Sequence, residues 1–272
     1  KTQVLIDGFF TRPSLSQVLF QKIRSQPEVI RRMVHQQQLQ HTQAILVTHS
    51  HYDHALDLAE LGKQLPQTKI IGSNSTLNIA RGGAVPEQQL MLVQPLQPLS
   101  FGEFKVTAIA SRHTPPIAVN NDLGKEISHP LQQPARFSAF KEGHSFDYLI
   151  EHSGQRILVK ASTGAVPNQL KNLKVDTLFL GIAQLSRQST EFQQNYLDQT
   201  LKTLKPKVVV PIHWDNFFKP VDQALEFLPY LADNTDESLK ILIQAAEQQK
   251  VQVVLLSRPV SYPLDPALQS QP

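Results

Sequence analysis

The 272-residue chain has no cysteine, which excludes disulfides and thiolate metal ligation, so any metal must be held by histidine and carboxylate. The absence leaves the compartment open, because cysteine-free chains serve reducing and oxidising spaces alike. Charge of one sign is also scarce: 26 basic and 23 acidic residues give a net +3. Arg31–Arg32 is the one adjacent basic pair, so no basic track exists and nucleic acid is not expected as a partner. No apolar run approaches the ~20 residues that a membrane-spanning helix needs. The chain opens at Lys1 rather than Met and enters Val4-Leu5-Ile6 almost at once. That start reads as a lost leader or lost first strands, with cytoplasmic and periplasmic placement both compatible.

A hydrophobic content of 40% over this length is enough for a sizeable core, and without a linker the chain reads as one domain over residues 1–272. Short Val-, Ile- and Leu-rich runs predict strands at Gln3–Phe9, Ala44–Thr48, Lys69–Gly72, Gln89–Val93, Phe104–Ala110, Phe146–Glu151, Arg156–Val159, Thr177–Gly181, Lys207–Ile212 and Val251–Leu256. Helical spacing predicts helices at Pro27–Gln40, His54–Gln64, Ser75–Arg81, Thr190–Leu204, Val221–Leu231 and Asp236–Gln248. Within Val221–Leu231 the expectation rests on Leu225, Leu228 and Leu231.

His152-Ser153-Gly154-Gln155 reads as a turn between two strands, and Leu99–Gly102 as a second separator of β runs. Mixed hairpins and βα units give an α/β class with two sheets flanked by helices. Arg112–Ser145 has no periodicity and carries Pro115, Pro116, Pro130 and Pro134. A connection of that length is usually functional or disordered.

The chemistry concentrates in Ala44-Ile45-Leu46-Val47-Thr48-His49-Ser50-His51-Tyr52-Asp53-His54. A buried strand runs out at Thr48, and three histidines with an aspartate follow within six residues. His49 and His51, two apart, point the same way from extended backbone. Asp53 and His54 lie in the following turn and fold back. All four side chains suit Zn²⁺ or another first-row metal.

This H-x-H-x-D-H signature resembles the metallo-β-lactamase-fold hydrolases, an αββα sandwich with its metal site at the sheet edges. The order of segments is similar to the branch containing ascorbate-6-phosphate lactonase and N-acyl-phosphatidylethanolamine phospholipase D, from Val4-Leu5-Ile6-Asp7 to about Phe218. The resemblance implies further metal ligands at His113, after the strand Phe104–Ala110, and at His213, in Pro211-Ile212-His213-Trp214-Asp215. It implies that Asp7 supports the site rather than ligating.

One position departs from the family. Lys160-Ala161-Ser162-Thr163-Gly164 stands where a Gly-Asp-Thr-Gly-like turn is usual. Ser162 therefore replaces the aspartate that bridges two metals, which puts tight dinuclear binding in doubt. Asp215 is a candidate replacement carboxylate, or else a hydrogen-bonding partner for a ligand histidine. His144 is a candidate outer donor or substrate contact, and His129 a weaker one. Arg112 is weighed as a partner for an anionic substrate against an ordinary surface role; Trp214, Phe217 and Phe218 as pocket walls against plain core. His35, His41 and His152 read as solvated.

The resemblance thus implies a hydrolase whose metal-bound hydroxide attacks an ester, lactone or phosphodiester, with Asp53 as the catalytic carboxylate. The cofactor expected is zinc, one or two ions, with manganese or iron as alternatives, and the partner is a small-molecule or lipid-like substrate. The rival reading is a non-catalytic metal- or ligand-binding protein on the same fold, its second site impaired by Ser162.

Overall fold

The computed structural model describes residues 2–116 and 121–256. Two sheets carry the fold. The first is parallel, in the order β1 (Gln3–Ile6), β2 (Thr42–Leu46), β3 (Lys69–Gly72) and β4 (Leu90–Leu92). The second contains β5 (Pro98–Phe101), β6 (Phe104–Ala110), β7 (Phe146–His152) and β8 (Gln155–Lys160) as antiparallel neighbours. It continues in parallel through β9 (Thr177–Gly181), β10 (Val208–Ile212) and β11 (Gln252–Val253).

The period-two alternation of each strand builds three apolar layers. On β2, Ala44 and Leu46 face the second sheet, where they meet Tyr148, Ile150 and Val159. Ile45 and Val47 face the opposite way, onto α4 (Leu58–Gln64) and α5 (Asn74–Gly82) through Leu58, Leu61 and Leu77. On the far side, Leu149, Leu178 and Leu180 pack under α6 (Thr190–Leu197) and α7 (Thr235–Gln249) through Tyr196 and Leu242. The order helix–sheet–sheet–helix is the sandwich that the sequence predicts. Among the described residues no helix is long and apolar enough to cross a membrane.

Several predicted elements differ. The first strand stops at Ile6 because Asp7 and Gly8 take positive φ, 58° and 99°. The predicted helix His54–Gln64 is two helices, α3 (Tyr52–Ala55) and α4, and Thr190–Leu204 passes into a π-helical stretch at Asp198–Lys202. Leu99–Gly102 does not separate β runs: Pro98–Phe101 is itself a strand, paired with β6 across a turn at Gly102.

Val221–Leu231 is not helical. Pro229 lacks the N–H donor that a helix interior uses, and Phe227 instead bridges to Asp215. Leu228 is buried in this segment while Leu231 is 97% exposed, so the three-residue spacing marks no buried face. A short helix, α1 (Leu15–Phe20), has no counterpart in the sequence prediction; Ser14 caps it in a capping box with Gln17.

Residues 117–120 of the long connection lie outside the described residues; its described part is held by contacts with α5. Ser75 Oγ accepts from Ile127 N, the Asn78 side chain donates to Ile127 O, and Leu131 N donates to Asn78 O.

Candidate metal centre

The candidate residues come from strand ends that the sandwich brings to one edge. After β2 the chain bends at Thr48 and reaches His51, which caps α3 in an extended conformation, φ −62° and ψ 156°. His49 and His51 lie on one side, while Asp53 and His54 turn back on the first turn of α3. His113 arrives from the end of β6. His213 arrives from the end of β10 with a left-handed φ of 59°.

Two trios form. His49, His51 and His113 make one, and Asp53, His54 and His213 the other; within each, the ligand-type atoms lie within 4.8 Å of one another. In the first trio His49 Nε2 is 3.1 Å from His51 Nδ1, and the His113 ring lies 4.7 Å from both rings. In the second, Asp53 Oδ2 is 3.2 Å from His213 Nε2 and 3.5 Å from His54 Nε2. The rings of His49 and His54, 3.8 Å apart, join the trios.

The outward-facing nitrogens have their own acceptors. His54 Nδ1 is 2.8 Å from Asp7 Oδ2, and His113 Nδ1 is 3.0 Å from Thr114 O. Such bonds place the ring proton outward and leave the inner nitrogen with its lone pair. Asp7 touches the second trio only through this bond to His54 Nδ1 and is not one of its ligand-type atoms; its other oxygen accepts from Thr48 N at 2.7 Å. Behind β6 and β8, the buried Lys160 donates to Asp147 and to Ser111, two residues before His113.

Electrostatics favour neutral donors in the first trio. Burial and the neighbouring imidazoles hold His49 well below its usual value, and burial with His51 pulls His113 down to about 4. Burial works against a charge on His54 too, but Asp7 and Asp53 outweigh it and raise that group. Asp53 is held far below the carboxylate range: burial opposes its charge, and His54, His213 and His51 overcome that.

A cation fits this donor set. His54 Nε2 is buried without a hydrogen-bond partner, which costs about 1–3 kcal/mol for a protein donor or acceptor. A metal ion between it, Asp53 and His213 gives that nitrogen the missing partner.

The other candidates separate. Ser162 is buried in the cavity wall beside the trios. Asp215 is not drawn in, because Arg12 takes its carboxylate at 2.7 Å. His144 is exposed and pairs with Glu126; His129 and Arg112 are exposed as well. Phe217 and Phe218 line the cavity, whereas Trp214 is core. His35 and His41 are exposed, and His152 stacks on Phe104.

The sequence reading missed Asp122, whose Oδ1 lies 3.1 Å from His51 Nε2. Its one signal was the turn-like Asn121-Asp122-Leu123-Gly124, which carries no information about what the turn touches.

Residues 2–214 match the family model for the beta-lactamase superfamily domain. The chain belongs to this family. A curated relative, a UPF0173 metal-dependent hydrolase from Polaromonas sp., is 27% identical over 175 residues, 62% of this chain; the match spans only 59% of that relative's length. Among solved structures, the metallo-β-lactamase fold protein YhfI from Bacillus subtilis is similar at a TM-score of 0.56 and 14% identity. That match covers 94% of this chain and 85% of YhfI, and it shows the shared fold.

Proposed function

We infer that the chain is a metal-dependent hydrolase acting on an ester, lactone or phosphodiester. The reading rests most on one observation: two ligand trios, drawn from three distant stretches of chain, each with its ligand atoms within 4.8 Å. The metal is zinc in one or two ions, with manganese or iron as alternatives the donor set also suits. Bound there, such an ion polarises the scissile group and lowers the pKa of a coordinated water from ~15.7 to about 7.

The residues divide the remaining work. His49 and His113 present neutral nitrogens, which need lose no proton before ligating, and His51 completes their trio. Asp53, His54 and His213 form the second site, and with that site empty Asp53, held as a carboxylate, accepts a hydrogen bond from the attacking water and orients it. Ser162 supplies no charge where the family's bridging carboxylate stands, so the second ion is held more weakly than the first.

The trios open into a cavity of about 410 Å³, within the range of small-molecule sites. Its walls include Val18, Leu19, Phe137, Phe140, Phe217 and Phe218, with Lys125 and Lys141 near Asp122. This lining suits a small or lipid-like substrate with an apolar portion and a polar, anionic end.

Elemental analysis of the purified protein, alongside a panel of esters, lactones and phosphodiesters, tests the reading. Bound metal and an activity abolished by His49→Ala are expected. Metal-free protein in zinc-supplemented buffer, or hydrolysis unaffected by His49→Ala, would refute it.

A further inference from the structure

We propose that Asp122 is a positioning residue for the metal centre, accepting the Nε2 proton of His51 so that Nδ1 faces the cation. The inference rests on the metal-site reading above and extends it to a residue of the long connection.

The metal-site reading selects one arrangement of His51. Its Nδ1 faces the first trio, 3.1 Å from His49 Nε2, and ligation there uses that nitrogen's lone pair. The ring proton then sits on Nε2, and Nε2 meets both oxygens of Asp122, at 3.1 and 3.3 Å. Carboxylates in this position fix the ring's rotation and raise its basicity toward a metal.

Asp122 is itself held from behind. Its Oδ2 accepts from Glu142 N at 3.2 Å, and the Glu142 carboxylate accepts from Gly124 N at 3.0 Å and from Ser145 Oγ at 2.6 Å. Gly143 N donates to Lys125 O, and Lys125 N closes the turn on Asp122 O. A tight turn is thus fastened to the chain just before β7.

The connection does not need the His51 bond to stay in place. Ser75 and Asn78 anchor it at Ile127, Asn78 O holds Leu131, and Gln133 donates to Leu56 O and accepts from Ser25 N. The consequence of the Asp122 contact therefore falls on His51, not on the loop.

The test compares wild type with Asp122→Ala in zinc competition against a chromophoric chelator, with thermal melting of both metal-free proteins. Expected is a roughly 10- to 100-fold weaker first equivalent in the variant, with the metal-free protein still folded and its melting temperature lowered only by the loss of the Glu142 N–H acceptor. First-equivalent affinity equal to wild type overturns the proposal. A variant that fails to fold transfers the decision to ¹⁵N NMR of the His51 ring in zinc-loaded wild type. A proton on Nε2 with zinc on Nδ1 supports the proposal, and the reverse overturns it. Wild type that binds no zinc fails the metal-site reading itself, a result distinct from a variant that binds as well as wild type.

Discussion

Replacing Asp7 by Asn probes how the second trio is prepared. Asp7 accepts three hydrogen bonds: from Thr48 N at 2.7 Å, Thr48 Oγ1 at 3.0 Å and His54 Nδ1 at 2.8 Å. Asparagine suits the backbone, since Asp7 sits at φ 58° and Asn tolerates the left-handed region well. Its amide, however, has one acceptor and one donor end. The Thr48 N–H can only donate, so it keeps the oxygen, and the NH₂ group turns to Thr48 Oγ1 and His54 Nδ1. The hydroxyl adapts by accepting. A proton on His54 Nδ1 would oppose the amide N–H, which favours its move to Nε2, the nitrogen aimed at Asp53 and His213, over its sharing with Thr48 Oγ1 at 3.2 Å.

The ligand lone pair is then lost from the second trio while the first is untouched. Loss of such an outer partner weakens metal binding about 10- to 100-fold, or ~1.4–2.7 kcal/mol. In the metal-free protein the relocated proton points toward Asp53 Oδ2, 3.5 Å away. Stability without metal should therefore change by only about 1 kcal/mol, as for one neutral hydrogen bond. Zinc titration to millimolar concentrations, with chelator competition for the tighter equivalent, reads both sites. An unchanged second equivalent, or weakening of the first alone, would refute the argument.

Other perturbations bear on different parts of the molecule. Ser162→Asp restores a carboxylate in the cavity wall and should raise the zinc stoichiometry or tighten the second equivalent; equal stoichiometry and affinity would show that Ser162 does not limit it. Asp57, fully buried, takes the backbone N–H groups of Phe10 and Thr11 at 2.7 and 2.8 Å as well as the hydroxyls of Thr11 and Ser25. Asp57→Ala strands the two N–H groups and should cost about 2–6 kcal/mol in urea unfolding at 1–3 kcal/mol each; under 1 kcal/mol would contradict the network's importance.

The same carboxyl gives a pH signature. Burial pushes Asp57 above its ordinary 3.8 despite its hydrogen bonds, so protonation favours the folded form. Its contribution is full at low pH and lost as pH rises from 3.8 through the raised folded value. Wild-type stability minus that of Asp57→Asn should fall as pH rises above 3.8, and a flat difference would reverse the assignment. Finally, Leu19→Asp, at a cavity-lining residue 46% exposed, should erase chain-length selectivity among esters. At ~0.8 kcal/mol per methylene, wild-type kcat/KM should climb up to about fourfold per carbon, and a flat wild-type series would argue against an apolar substrate portion.

Residues 44–54 disclosed the candidate centre because its chemistry is local. A buried strand, two histidines at period two and a helical turn place four side chains within a single strand-to-helix corner. His113 and His213 were legible through strand ends and family resemblance. Strands such as Lys69–Gly72, Phe104–Ala110 and Thr177–Gly181 have the bounds their patterns predict. Val221–Leu231 misled because three leucines at helical spacing do not outweigh Pro229 in the same segment, and only Leu225 and Leu228 reach the core while Leu231 stays exposed.

Composition and local pattern alone thus fix the donor types, their clustering after β2 and the alternation that makes two sheets. They cannot say which carboxylate reaches which ring. Asp215 lies two residues from His213 yet is taken by Arg12, 203 positions away in sequence, while Asp122 reaches His51 across 71. Such pairings depend on where loops close in space, and hydrogen bonds act over about 3 Å whatever the separation along the chain.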